Sequence, residues 1–293
     1  MRFPYCYTMP VCSSGKLKAV LLHLTVLPFF SGMTSVVAWS VSEFASKAFV
    51  KSAMRNPCSP ASVLSFFYGV DYFTKDDVAE LESGRCLHLV TGLWYSGCPD
   101  YDALCAPFAP VVRKAGRREL TGREWEATVD GTVAQLVLCD QLSRNAFRGQ
   151  REAFQYDDVA VHHANKLTSA VLEEEDSGAS SRATATPMLV GTVYPPYIAS
   201  VVTALMHSEE KEDHDDALRL IEHAKQATSE TMQNFWKSQE HFELEHKSVI
   251  DRFGRYPHRN YLKGRANTAE EEAWLADDEN LPGWAKSQLP LSQ

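Results

Sequence analysis

No stretch of the sequence is apolar for long enough to cross a bilayer as a helix. The longest run, AVLLHLTVLPFF (19–30), covers 12 residues and is interrupted by His23, Thr25 and Pro28, where a span needs about 20. Paired-cysteine spacing is absent too. Cys6, Cys12, Cys58, Cys86, Cys98, Cys105 and Cys139 contain no CxxC, which excludes a CxxC…CxxC zinc site and leaves free, buried or half-buried thiols. Basic residues are the minority, 29 against 38 acids, for a net charge of −9. That argues against a surface that coats nucleic acid and leaves only a local basic patch open. GxGxxG, P-loop, HExxH and nucleophile-elbow patterns do not occur, so no nucleotide, zinc-protease or serine-hydrolase signature is present. Period-2 alternation, the mark of a half-buried strand, is also missing, and the chain reads as all-α.

What is present begins with an unusual N-terminus. Arg2, Lys16 and Lys18 precede the apolar run, and Val36-Val37-Ala38 offers a small-residue cleavage site before Trp39. Residues 39–60 are rich in Ser and Ala and carry Lys47, Lys51 and Arg55 against Glu43, a composition like that of an organelle transit peptide. Signal followed by transit suits an algal plastid, with mitochondrion and secretory pathway as alternatives. A retained membrane anchor at 19–30 is a further alternative. Residues 1–58 are therefore expected to be a targeting extension, 59–286 one all-helical domain that does not span a membrane, and 287–293 a tail.

Within 59–286, Ser59-Pro60 joins a capping hydroxyl to a first-turn proline ahead of VLSFFYG. Residues 84–98 read as irregular. Asp100 opens a helix with Leu104, Phe108, Val111, Val112 and Ala115 at helical spacing, and Pro107 and Pro110 require it to kink or split near 107. TVDGTVAQLVLCDQL (128–142) is the clearest buried helix, with Val133, Leu136, Val137 and Asp140 on one face. A long helix over 152–175 follows, with Val159, His163, Leu167, Ala170 and Val171 inward, then a small polar loop, DSGASSRATATP (176–187). Pro195-Pro196 open a helix, 214–227 is amphipathic, and Thr231–Phe253 is long and ended by Gly254. Thr268 and Glu271 make a capping box. Short connections between these helices suggest stacked antiparallel hairpins or an irregular bundle.

Three polar clusters stand where apolar helices end. RFGRYPHRNYLKGR (252–265) carries Arg252, Arg255, Arg259, Lys263 and Arg265 and no acid, +5 within 14 residues of a −9 chain. DQLSRNAFRG (140–149) holds Asp140, Arg144, Asn145 and Arg148, and Met206-His207-Ser208-Glu209 closes a third helix. Three such ends are expected to face one pocket.

DQLSRN…RG, HSE, His246 four residues before Ile250, RFGRYPHRN and GRANTAEEEAWL together resemble the uncharacterised bacterial family named domain of unknown function 924, from about Val63 to Trp284. The resemblance implies a tetratricopeptide-repeat-like superhelix and no established activity. Ser143, where the family usually has proline, and the insertion at 176–187 depart from its pattern without removing a charged member of the constellation.

Two readings of the constellation follow. In the first it binds a small anionic ligand, phosphate or carboxylate, with hydrolase-like chemistry as an extension. Arg144, Asn145, Arg148, His246, Arg252, Arg255, Arg259, Asn260 and Arg265 would bind. His258, His207 and Asp140 would be the catalytic groups. Its reason is stoichiometric, since the arginines outnumber Asp140 and Glu209 and guanidinium is suited to oxyanions. In the second the same residues form an internal clasp in a helical-repeat module that binds a protein or peptide. A groove filled by the chain's own C-terminal segment would count against it. A metal held by His207, Glu209, His246 and Asp140 has dispersed spacing, and no cofactor is specified.

Overall fold

The computed structural model describes residues 38–74, 77–176 and 193–289. The apolar run 19–30, residues 177–187 of the polar loop and the last residues of the tail lie outside them. The described residues are all-α. They form α1 (Val41–Ser46), α2 (Ala48–Arg55), α3 (Pro60–Tyr68), α4 (Asp77–Ser83), α5 (Arg85–Trp94), α6 (Pro99–Cys105), α7 (Ala109–Gly116), α8 (Arg123–Glu126), α9 (Val129–Val137) and α10 (Ser143–Ala146). Then come α11 (Asp157–Asp176), α12 (Pro195–Met206), α13 (Lys211–Ala227), α14 (Gln233–Phe253), α15 (Asn260–Lys263), α16 (Ala269–Ala276) and α17 (Gly283–Lys286). Among the described residues no helix is long and apolar enough to cross a membrane.

Helix starts follow local chemistry. The Ser59 hydroxyl accepts from Ser62 N–H with Pro60 in the first turn, and Thr268 and Glu271 form a reciprocal capping box. Gly254 ends α14 at φ 66°, a left-handed conformation that costs glycine little. The proline-bearing segment splits near 107, where a 3₁₀ turn (Ala106–Phe108) separates α6 from α7. Residues 85–94, expected to be irregular, are helical instead. Cys86, Leu87, Val90, Leu93 and Trp94 are buried, and that packing outweighs the helix cost of Gly92.

α9 is the hub. It packs against α3, α8, α11 and α12, and α11, α12, α13 and α14 then pack in succession. Gly131 makes the α8–α9 corner, where a Cβ would stand 2.1 Å from the Glu124 carbonyl oxygen.

The packed body starts earlier than residue 59. Phe44, Val50 and Ala53 are fully buried members of the main core. Phe44 meets Phe66 edge-on at 5.3 Å and lies 5.9 Å from Tyr101. The basic, Ser-rich composition of 39–55 belongs to the solvent side of two amphipathic helices: Lys51, Ser52 and Arg55 are exposed. Phe44→Ala is therefore expected to cost about 3–5 kcal/mol, measured as a loss of urea-unfolding free energy. A change below about 1 kcal/mol would show that α1 and α2 are dispensable to the fold.

Candidate functional site

The site starts with a widened turn. After α9 the helix continues through one π turn, Leu138–Leu142, before α10. The Ser143 hydroxyl donates to the carbonyls of Cys139 (2.7 Å) and Asp140 (2.8 Å), and Arg144 Nη1 also donates to the Asp140 carbonyl at 2.8 Å. π turns recur at functional sites because they re-aim side chains. Here Asp140 ends the apolar stripe at 2% exposure.

Three helix ends meet at this carboxylate. His207, just past α12, donates from Nδ1 to Asp140 Oδ1 at 2.7 Å. Arg144 Nη1 lies 3.0 Å from Asp140 Oδ1 and 3.0 Å from Asp157 Oδ1. From the 252–260 segment, Arg259 Nη1 donates to the His207 carbonyl (2.8 Å) and to Asp157 Oδ2 (3.2 Å). The segment is fastened by Tyr256, whose hydroxyl donates to the Met206 carbonyl at 2.6 Å and whose backbone N–H donates to Glu209 at 3.0 Å. Phe154 carries both guanidinium groups over its ring, Arg144 at 5.5 Å and Arg259 at 5.2 Å, favourable cation–π placements.

Two further histidines complete the cluster. His246 donates from Nδ1 to the Phe242 carbonyl at 2.7 Å and lies 6.1 Å from the His207 ring. Trp284 stacks on His246 at 3.9 Å and stands edge-on to His258 at 5.4 Å. Among the described residues no three His, Cys, Asp or Glu side chains group as a metal site.

Burial sets the protonation states. Burial alone would raise the Asp140 carboxyl, but His207 and Arg144 hold it below the usual range. His207 is pushed down by burial and by Arg144, against the pull of Asp140. Burial drives His246 and His258 well below the ordinary imidazole value, helped by His207 and Arg259 respectively. Burial thus disfavours the charged form at all three imidazoles, while Asp140 is favoured as the carboxylate. Arg259 is lowered by burial, with Asp157 pulling the other way, whereas Asp157 and Asp140 outweigh burial at Arg144 and raise it.

The remaining sequence candidates point elsewhere. Arg148 and Asn145 bind Asp102, at 2.5 Å and 2.8 Å. Arg252 pairs with Glu270 at 2.8 Å and Arg255 with Glu271 at 2.6 Å. Arg265 makes a two-pronged pair with Glu209, at 2.6 and 2.8 Å, and Asn260 donates to Asn267 at 2.8 Å. Every arginine of the constellation therefore has an acid. The surplus of guanidinium groups expected from the sequence disappears once Asp102, Asp157, Glu270 and Glu271 are counted.

The family described as bacterial protein of unknown function, DUF924, matches residues 83–279. The chain belongs to the DUF924 family. A solved protein of unknown function from Agrobacterium tumefaciens is 25% identical, with a TM-score of 0.43, covering 63% of this chain and 88% of that one. No curated protein matches the chain.

The DUF924 match contains Asp140, Arg144, His207, His246 and the 252–260 segment, but ends before Trp284, which covers the histidines. Phe154, Asp157 and Trp284 are the site members that sequence reasoning missed. Asp157 had a signal: it opens a long helix, in the first turn where acids favour the dipole. Trp284 had none, because an indole beyond the last capping box reads as ordinary packing.

Neutral buried histidines make stability depend on pH. Their folded pKa lies below the unfolded value near 6.5, so the unfolded chain takes up protons first as pH falls. Stability is full above about pH 6.5 and declines below it. The thermal unfolding midpoint is expected to drop from pH 7 to pH 5, and to drop less in His258→Phe. A level or rising midpoint would mean that these imidazoles are charged in the native state.

Proposed function

We propose that this DUF924 protein binds a small anionic ligand beside Arg144, Arg259 and His258, with His207 as the base that any chemistry there would use. The observation that carries the reading is a set of orphan nitrogens. Arg144 Nη2, Arg259 Nε and His258 Nδ1 are buried without a partner on side chains only 2–3% exposed. A buried donor without an acceptor costs about 1–3 kcal/mol, and native proteins rarely leave several together. An oxyanion satisfies such a group at once.

Two further features support it. Lys263 is half-buried, has Arg259, Asp157, Glu209 and Arg265 as charged neighbours, and makes no ion pair within 4.0 Å among the described residues. A ligand would enter from the side of His207 and Asp157, whose side chains are 15% and 12% exposed. The opposite side of Asp140 borders a cavity of only about 10 Å³, too small for a ligand. With Arg144 and Arg259 balanced by Asp140 and Asp157, a single negative charge suits the site better than several, which favours a carboxylate over a polyphosphate. Asp140 orients His207 by taking its Nδ1–H, and Nε2 is then the basic nitrogen for hydrolase-like or other proton-transfer chemistry.

A thermal-shift series with acetate, inorganic phosphate and pyrophosphate tests this. Acetate or phosphate is expected to raise the unfolding midpoint of the full chain in a saturable way. Arg259→Lys, which keeps the charge but loses the planar fork, is expected to weaken that response at least tenfold. No saturable response to any anion would instead support the clasp reading, which the complete arginine–acid pairing favours. The module form of that reading is weakened by the C-terminal segment, because Trp284 already lies on the His246–Tyr256–His258 face.

Delivery to an organelle, a plastid first, is proposed from the N-terminal composition alone. Since Phe44, Val50 and Ala53 are core residues, any removed segment would end before Trp39. N-terminal sequencing of the protein recovered from its native compartment is expected to start at or before Trp39, and a start near residue 59 would refute this.

A further inference from the structure

Beyond residue 276 the chain runs as a strap across the histidine cluster. Leu281 and Ala285 are buried and anchor it. Its side-chain hydrogen bonds stay within it: Asn280 binds Asp277, Lys286 binds Asp278, and Ser287 donates to the Trp284 carbonyl. Backbone bonds are equally local, from Leu281 to Asp277 and from Lys286 to Pro282. The strap is thus held to the body by ring and apolar contact, and the contact made at the centre is the Trp284 indole on His246.

Apolar packing explains the ring but not the nitrogen. Trp284 Nε1 is buried and has no acceptor, although a buried indole N–H ordinarily finds one. Its neighbour at 5.4 Å, His258, keeps an unpartnered Nδ1 on a 3%-exposed side chain. Two adjacent rings therefore each hold an unpartnered nitrogen, as Arg144 and Arg259 do. With the proton of the neutral His258 ring on Nδ1, a single small acceptor group seated against the edges of His258 and Trp284 removes both.

We propose that Trp284 is a ligand-contacting residue: its indole N–H, brought by the strap, hydrogen-bonds the anion bound beside His258 while its ring seals that anion from water. The inference rests on the anion-binding reading and adds to it a donor lying outside the family-matched residues. Sealing matters because a charge-assisted hydrogen bond strengthens as water is excluded. A strap whose hydrogen bonds run only within itself and, from Asp277 and Asp278, to the end of α16 can shift as a unit about that point to admit the ligand.

The experiment titrates acetate and inorganic phosphate into the full chain by calorimetry, for the native protein, Trp284→Phe and Trp284→Ala. Phenylalanine keeps a stacked ring and loses the N–H. Binding is expected to weaken about tenfold or more in Trp284→Phe, the loss of one hydrogen bond to a charged group, and further in Trp284→Ala. In parallel, the Trp284 indole N–H resonance of the native protein is expected to move with anion concentration, a readout that needs no folded variant. Anion binding with native affinity in Trp284→Phe, or movement of the His258 ring signals while the Trp284 indole signal stays fixed, overturns the inference and leaves the anion site standing. Absence of binding to the native protein overturns both.

Discussion

The buried carboxylate of Asp140 is the constraint around which the rest is arranged. Removed from water, a lone charge costs several kcal/mol, and taking away one partner of a buried pair costs about 3–5 kcal/mol. Asp140 therefore needs Arg144 from its own helix and His207 from the end of α12. Arg144 in turn needs a second acid, and Asp157 at the start of α11 provides it. Asp157 holds Arg259 as well. One buried charge thus ties four chain segments together and dictates where the long basic segment docks.

The same arithmetic separates scaffold from site. Arg148, Arg252, Arg255 and Arg265 each close on an acid near the surface. Exposed pairs such as Arg252–Glu270 contribute little to stability, while the two-pronged Arg265–Glu209 pair fixes the path of the chain around Tyr256. Glu209 is held down to about 2, since Arg265 and Arg259 outweigh the effect of its burial. What remains at the centre is electrically balanced yet incompletely hydrogen-bonded. Unpartnered nitrogens remain there on Arg144, Arg259 and His258, as one does on Arg265 in its pair with Glu209.

Much of the fold was legible because it is written in local chemistry. Prolines at 60, 107 and 195, the cap at Thr268 and Gly254 each mark a boundary that any environment would respect. Asp140 at the end of an apolar stripe was equally legible. The failures have one cause, which is that packing overrides composition. Residues 39–55 carry a transit-like composition on the exposed side of two core helices, and residues 85–94 are helical despite Gly92. The expected inner position of His163 is only half-buried, while Ala164, Leu167 and Thr168 face the core.

By itself the sequence determined the helical class and most helix boundaries, and it singled out Asp140, Arg144, His207, His246 and Arg259 as candidates for one cluster. Local hydrogen bonding and periodicity act over a few residues, so they can be read along the chain. Tertiary structure alone decided which acid meets which arginine. Asp157 lies 102 residues from Arg259, and Asp102 lies 46 from Arg148, separations over which sequence spacing carries no geometric information. Charge counted along the chain suggested an excess of guanidinium. Charge counted in space shows balance, and moves attention from net charge to the few buried nitrogens that the fold leaves without acceptors.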